Sequence, residues 1–188
     1  MEKIQKEFFS ASLQEAHKMN NKDFTRNRKQ SFVNTLLLMI NFLTKSLSLE
    51  IENFVHYLKR EISTAVPFTK SAFVQCRKKI SPDVFRHLSG LLVNEFYTDN
   101  SEVELLEGFR ILAIDGSRIS LPITQELEKH YGKTSNQSDT YIIQAKVSVL
   151  YDVLNNFVLD GVLSNVSIGK REMTLEHLHH CKIGDLII

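Results

Sequence analysis

The sequence predicts an α+β chain in which a helical amino-terminal region precedes a mixed sheet built as strand, hairpin, crossover helix and strand. Three observations carry that prediction. Apolar residues recur at helical spacings as far as about Tyr97, after which β-branched and aromatic runs take over. Gly108 marks the change. Charge divides at nearly the same place: His17 to Ser89 holds thirteen Lys or Arg against five Asp or Glu, Gly90 to Arg110 one against five, and Ile111 onward seven against nine. We therefore expect two regions, 1–107 and 108–188. The basic first region suits an anionic partner, nucleic acid foremost, although a solvated basic face without a partner has the same composition.

Of the 188 residues, 43% are hydrophobic and 24% charged, which excludes disordered and collagen-like classes. The two cysteines, Cys76 and Cys181, lie far apart without zinc-site or disulfide-scaffold spacing, as in a reducing cytoplasmic setting. The first residues carry Glu and Lys throughout and lack the apolar core of a secretory signal. Val33 to Leu43, the most apolar window, is interrupted by Asn34, Thr35 and Asn41, well short of the roughly 20 apolar residues that span a bilayer. The expectation is a cytoplasmic protein with no membrane partner.

In chain order, Ile4, Phe8, Leu13 and Ala16 give a modest helical pattern, and NNKDFTRNRKQ follows as a connector. Ser31 caps a helix to about Ser46, with Phe32, Leu36, Met39, Ile40 and Leu43 on one side. Glu50 to Ser63 forms the next, with Ile51, Phe54, Val55 and Leu58 as its apolar stripe and His56 at the surface. After Pro67, Thr69 or Ser71 starts a short helix with Phe73, Cys76 and Ile80 inward. Ser81 and Pro82 serve as N-cap and N1 of another, in which Val84, Phe85, Leu88, Leu91, Leu92 and Phe96 are buried. Two helices with a two-residue break and basic residues at the junction match a helix-turn-helix that contacts DNA phosphates; cations at a helix C-terminus are equally explained by the macrodipole.

The second region opens with FRILAIDGSRISLP, an apolar strand bounded by Gly108 and Gly116 that carries Asp115 to its open end. An Asp there is costly to bury unpaired, so it serves either a metal, a cation or backbone N–H groups, or it caps an Asp-Gly turn. TQELEKHYGKTSNQSD reads as a short helix and polar loop. YIIQAKVSVLYDV and FVLDGVLSNV form a hairpin about Leu154-Asn155-Asn156. KREMTLEHLHHC reads as a helix with Met173, Leu175, Leu178 and Cys181 apolar, and Gly184 leads into a last strand from Asp185. Gly132-Lys133-Thr134 lacks the first glycine of a phosphate-binding loop, where Leu127 stands, and Ser117 is not in a GxSxG elbow. His177, His179, His180 and Cys181 offer metal-type ligands at helical spacing, with no convincing second pair elsewhere.

AIDGSRISLP, QAKVSVLYDV and KREMTLEHL leading into GDLII, taken in that order, resemble the insertion-sequence DDE transposases of bacteria, and FTKSAFVQCRKKISPDVF resembles the helical region that precedes their catalytic domain. The resemblance covers roughly residues 24–188. It implies an RNase H-like second region, here its first part in β-β-β-α-β order, and cut-and-paste DNA transposition by metal-dependent strand cleavage and transfer. Asp115 is then the first acidic residue of the catalytic triad, a ligand to two Mg²⁺ ions in the complete site. Double-stranded DNA, as transposon end and target, is the implied partner, with a homodimer on DNA as a possible assembly. Lys70, Arg77, Lys78, Lys79, Arg86 and Arg118 are the candidate DNA contacts. The family's second Asp, followed by Arg-Gly-Tyr after the fourth strand, and its third acid on a later helix are not in this sequence, and Asp185 opens its strand instead of ending it. The expectation is an amino-terminal fragment, inactive by itself. The alternative is a DNA-binding or regulatory remnant.

Overall fold

A computed structural model describes residues 2–26, 30–41, 46–61, 67–98, 102–135 and 141–188. The chain forms two compact units, Met1–Leu92 and Val93–Ile188. That division lies inside a helix, earlier than the expected step from 107 to 108.

The first unit is helical. Where one amphipathic pattern was expected there are two helices, α1 (Glu2–Phe8) and α2 (Ala11–His17), because the Ser10 hydroxyl accepts the Leu13 N–H at 3.0 Å and starts a new helix. Ser31 caps α3 (Phe32–Ile40) as expected, and α4 spans Leu47–Glu61; the expected helix ends around 42–45 and 62–66 lie outside the described residues. Thr69 caps α5 (Lys70–Arg77). α6 runs Asp83–Thr98, with the Ser81 hydroxyl accepting the Asp83 N–H at 3.3 Å. The break between α5 and α6 is thus 78–82, longer than the two residues expected.

Two apolar clusters hold this unit. Leu13, Phe32, Leu36, Ile80, Val84 and Leu88 form one; Leu38, Ile51, Phe54, Val55, Leu58, Phe68 and Phe73 form the other. Each fully buried side chain of this size is worth about 1.5–3 kcal/mol over its exposed state. Leu92, expected inside, is 38% exposed. The end of α6 instead turns Phe96 and Tyr97 to the second unit, to which both belong: the Phe96 and Phe157 rings lie 4.4 Å apart.

The second unit is a mixed sheet with helices. Its elements are β1 (Arg110–Leu121), α7 (Gln125–Tyr131), β2 (Thr134–Ser135), β3 (Tyr141–Asp152), β4 (Phe157–Asn165), α8 (Lys170–His177) with a 3-10 turn at Leu178–His180, and β5 (Asp185–Ile187). β1 pairs antiparallel with β3 from Leu112 opposite Asp152 to Leu121 opposite Ile143; β3 pairs antiparallel with β4; and β5 joins the far side of β1 in parallel, Asp185 opposite Arg110. Reading across, the order is β4-β3-β1-β5, with β2 against the start of β3. The strand, hairpin, crossover helix and parallel strand expected from the sequence are all present.

β1 corrects the expectation that a strand ends at Asp115. It continues through Gly116 to Leu121, so Asp115 neither ends a strand nor caps a turn. A Cβ at Gly116 would lie 3.2 Å from the Val147 carbonyl oxygen, so this glycine permits close strand pairing and does not turn the chain. α8 also differs. Leu175 and Leu178 are 62% and 44% exposed, and the helix meets the sheet through Met173 and His177, one turn apart on the same face.

Candidate functional site

Asp115 stands in the middle of β1 opposite Val149, exposed, on the opposite face of the strand from its neighbours Ile114 and Gly116. One carboxylate oxygen accepts the Gly116 N–H at 2.7 Å. β5 accompanies β1 only from Arg110 to Leu112, and the last backbone bond between them runs from Ile114 N to Ile188 O at 3.4 Å. Beyond that point, on the side away from β3, β1 presents an edge.

A cleft of about 280 Å³ opens on the face of the sheet toward α8, between Ile114–Arg118 of β1, Lys146–Ser148 of β3, and Lys170, Met173 and Thr174 of α8. Gly116 shapes it: opposite Ser148, where another residue would project a side chain, there is none. Three cations line the cleft, Arg118, Lys146 and Lys170, while Asp115, the one acidic residue in its lining, turns its side chain to the other face of β1. The Lys146 ammonium donates to the Ile168 carbonyl at 2.5 Å. Among the described residues Lys170 and Arg118 have no carboxylate partner.

Behind the cleft lies a chain of hydrogen bonds that sequence reading missed. Ser148 Oγ is 2.9 Å from His177 Nε2, and His177 Nδ1 is 2.7 Å from Asp160 Oδ2. A carboxylate only accepts, so Nδ1 carries a proton toward Asp160. The connectivity is that of a nucleophile, base and orienting acid. His177, however, has no exposed surface and Ser148 is only 5% exposed. Those residues knit α8 to β3 and β4, and satisfy one another in a place where an unpaired polar group would cost about 1–3 kcal/mol. The signal was present in the sequence: His177 falls four residues after Met173 on an otherwise polar helix, and Asp160 interrupts the apolar run FVLDGVL.

The other acidic residue near β1 is committed elsewhere. Asp185 grips Arg110 with both oxygens, Nε to Oδ1 at 2.8 Å and Nη2 to Oδ2 at 2.6 Å, and accepts the Lys182 N–H at 2.7 Å. Burial pushes the Asp185 carboxyl up, but the Arg110 hydrogen bonds, the Lys182 N–H and the positive charge of both residues together hold it below the usual carboxylate range. Arg110 also lies over the Tyr97 ring, 4.9 Å from its centroid. The Tyr97 hydroxyl donates to Asp152, which is fully buried and takes the Leu154 and Asn155 N–H groups besides. Burial, reinforced by that carboxylate, raises the Tyr97 phenol well above its ordinary range.

In the helical unit, Lys70, Arg77, Lys78 and Arg86 are exposed on α5, α6 and the break between them. Arg77 lies 6.0 Å from the centre of the Phe73 ring, and Arg86 faces Asp83 at 3.6 Å in a fully solvated pair. Lys79 is less available: its ammonium is 3.3 Å from Asp23. Opposed by burial, the hydrogen bonds of Asn20 and Lys79 keep the Asp23 carboxyl low.

Among the described residues no group of three or more His, Cys, Asp or Glu is placed to hold a metal ion. His177, one of the metal-type ligands on α8, has both ring nitrogens engaged. Asp115 alone supplies too few hard oxygens for Mg²⁺, which takes near-octahedral oxygen coordination. The donors described here do not by themselves fit that ion. No helix of the described residues is long and apolar enough to cross a membrane. Compared with protein-family models and with curated proteins, the chain matches none.

Proposed function

We propose that this chain is the DNA-binding and first catalytic portion of a DDE transposase, with an RNase H-like second unit to which Asp115 contributes the first of three carboxylates. One observation carries the reading: Asp115 lies at the centre of β1, beside the edge that begins where parallel β5 stops. The pairing of Arg110, Ile111 and Leu112 with Asp185, Leu186 and Ile187 would carry a continuing strand past Ile114 and Asp115. An acid there faces Asp115 across neighbouring strands, the arrangement that phosphodiester chemistry by paired carboxylates requires. The basic residues of α5, α6 and the break between them supply sequence-independent phosphate contacts.

The coding sequence after the Ile188 codon tests this. The reading expects an in-frame acid within the first few codons and a second on a later helix. A form that includes them should nick duplex DNA in Mg²⁺, and Asp115→Asn should abolish nicking while leaving DNA affinity nearly unchanged. Cleavage that survives Asp115→Asn would sink the assignment.

A second reading is favoured by the lack of three clustered carboxylates among the described residues. In it the chain binds DNA without cutting it and competes with an intact transposase. The two readings share DNA binding, so only metal-dependent cleavage separates them.

A further inference from the structure

We propose that the cleft between β1 and α8 seats a backbone phosphate of a nucleic-acid strand, with Lys170 and Lys146 as its principal contacts and Arg118 at its mouth. The inference rests on the DNA-handling reading above.

Charge is the first argument. Three cations converge on about 280 Å³, and the one acidic residue of the lining, Asp115, turns its carboxylate to the other face of β1, where one oxygen accepts a backbone N–H. Like charges gathered at one cleft repel, and an anion relieves that repulsion. The folded chain offers no internal anion for the purpose, since Lys170 and Arg118 lack carboxylate partners among the described residues. Lys146 spends one of its three donors on Ile168 O and keeps two.

Position is the second. Lys170 is the first residue of α8, where the aligned peptide dipoles favour negative charge. That helix is not free to drift: the Glu172 carboxylate accepts the Gly169 N–H at 3.2 Å, and His177 pins its other end to Ser148 and Asp160. The two lysines therefore stand on regular elements held by the sheet, the kind of support that a preorganised site needs. The cleft suits a single phosphate that enters between β1, β3 and α8.

The test is lysine acetylation of the whole 188-residue chain in EDTA, read by mass spectrometry with and without a 20-base-pair duplex, alongside binding isotherms at several salt concentrations. DNA should protect Lys170 and Lys146 at least fivefold while Lys182 in the loop before β5 reacts as before. Lys170→Gln should weaken binding severalfold and reduce the slope of log K against log salt by about 0.9, one released counterion's worth. Lys170 is exposed and its substitution leaves the fold alone, so this variant decides the matter even if Lys146→Gln, which loses the Ile168 bond, misfolds. Equal acetylation of Lys170 with and without DNA, or an unchanged slope, overturns the proposal. Equal protection by millimolar inorganic phosphate without DNA overturns the nucleic-acid assignment. Should the lysines be protected while a form that carries the later acids still nicks DNA after Asp115→Asn, the phosphate site stands and the metal role of Asp115 fails.

Discussion

Asp185 and Asp115 sit on neighbouring parallel strands but out of step: Asp185 lies opposite Arg110, five residues before Asp115 along β1. At about 3.3 Å per residue the two carboxylates are separated by about 16 Å along the strand, too far to share an ion. Arg110 holds Asp185 on both oxygens and only a backbone N–H holds Asp115. One acid is structural and the other is free to act. Asp185→Asn should therefore cost about 3 kcal/mol, the low end for breaking a buried ion pair. Asp115→Asn should stay within about 0.5 kcal/mol of the parent. Urea titrations followed by circular dichroism read both.

The same pair sets a pH dependence. Because folding holds the Asp185 carboxyl below its ordinary value of 3.8, its contribution is fully present above that value and is lost as the pH falls through the lowered one. The stability of the parent should fall below about pH 4 more steeply than that of Asp185→Asn. Parallel curves would remove the ion pair from the account.

Tyr97 and Asp152 give a third expectation. Tyr97→Phe leaves a fully buried carboxylate one donor short and should destabilise the second unit by about 1–3 kcal/mol. Hydrogen exchange at β3 and β4 is the direct readout, with faster exchange expected across Tyr141–Asp152. Unchanged exchange would mean that the Leu154 and Asn155 donors suffice.

How much of this was legible in the sequence follows from what kind of interaction each feature uses. The hairpin of β3 and β4 and the caps at Ser31 and Thr69 are local, and local chemistry found them. The end of β1 was misplaced because glycine after Asp looks the same in a turn as in a strand. Only the Val147 carbonyl, 31 residues away in sequence, shows why Gly116 is there. Ser148, Asp160 and His177 come from three elements and meet only after folding, so the spacing of His177 after Met173 and the Asp within FVLDGVL mark two of them as inward without pairing them. Lys146 and Lys170, which the sequence reading did not single out, come together around one cleft only in the folded sheet.

The buried relay makes a fourth expectation, against a hydrolase. His177→Ala opens a cavity and takes from Asp160 its 2.7 Å partner, costing about 2–4 kcal/mol, whereas Ser148→Ala costs about 1 kcal/mol. A fluorophosphonate probe should leave Ser148 unlabelled, since the hydroxyl is almost wholly enclosed. Stoichiometric labelling that disappears with His177→Ala would make this a nucleophilic site after all.

Exposed apolar residues on the edge strand set a fifth. Leu186, Ile187 and Ile188 are 49%, 40% and 69% exposed, and among the described residues β5 pairs with β1 alone, a surface that invites association. Light scattering should show mass rising with concentration, and Ile188→Lys should suppress the rise. A monomer at all concentrations, with one sharp unfolding transition and exchange protection across Tyr141–Val162, would show the sheet to be sufficient in itself.

The central claim, that this chain grips DNA through its phosphates, is tested most directly by the salt dependence of duplex binding. Lys70, Arg77, Lys78 and Arg86 of the helical unit and Arg118, Lys146 and Lys170 of the cleft offer seven cations. If most of them reach phosphates, log K should fall against log salt with a slope of about −4 to −6, at 0.9 per contact. A slope between zero and −1, or no binding at 50 mM salt, would contradict the account, because no surface that meets several phosphates can avoid releasing their counterions.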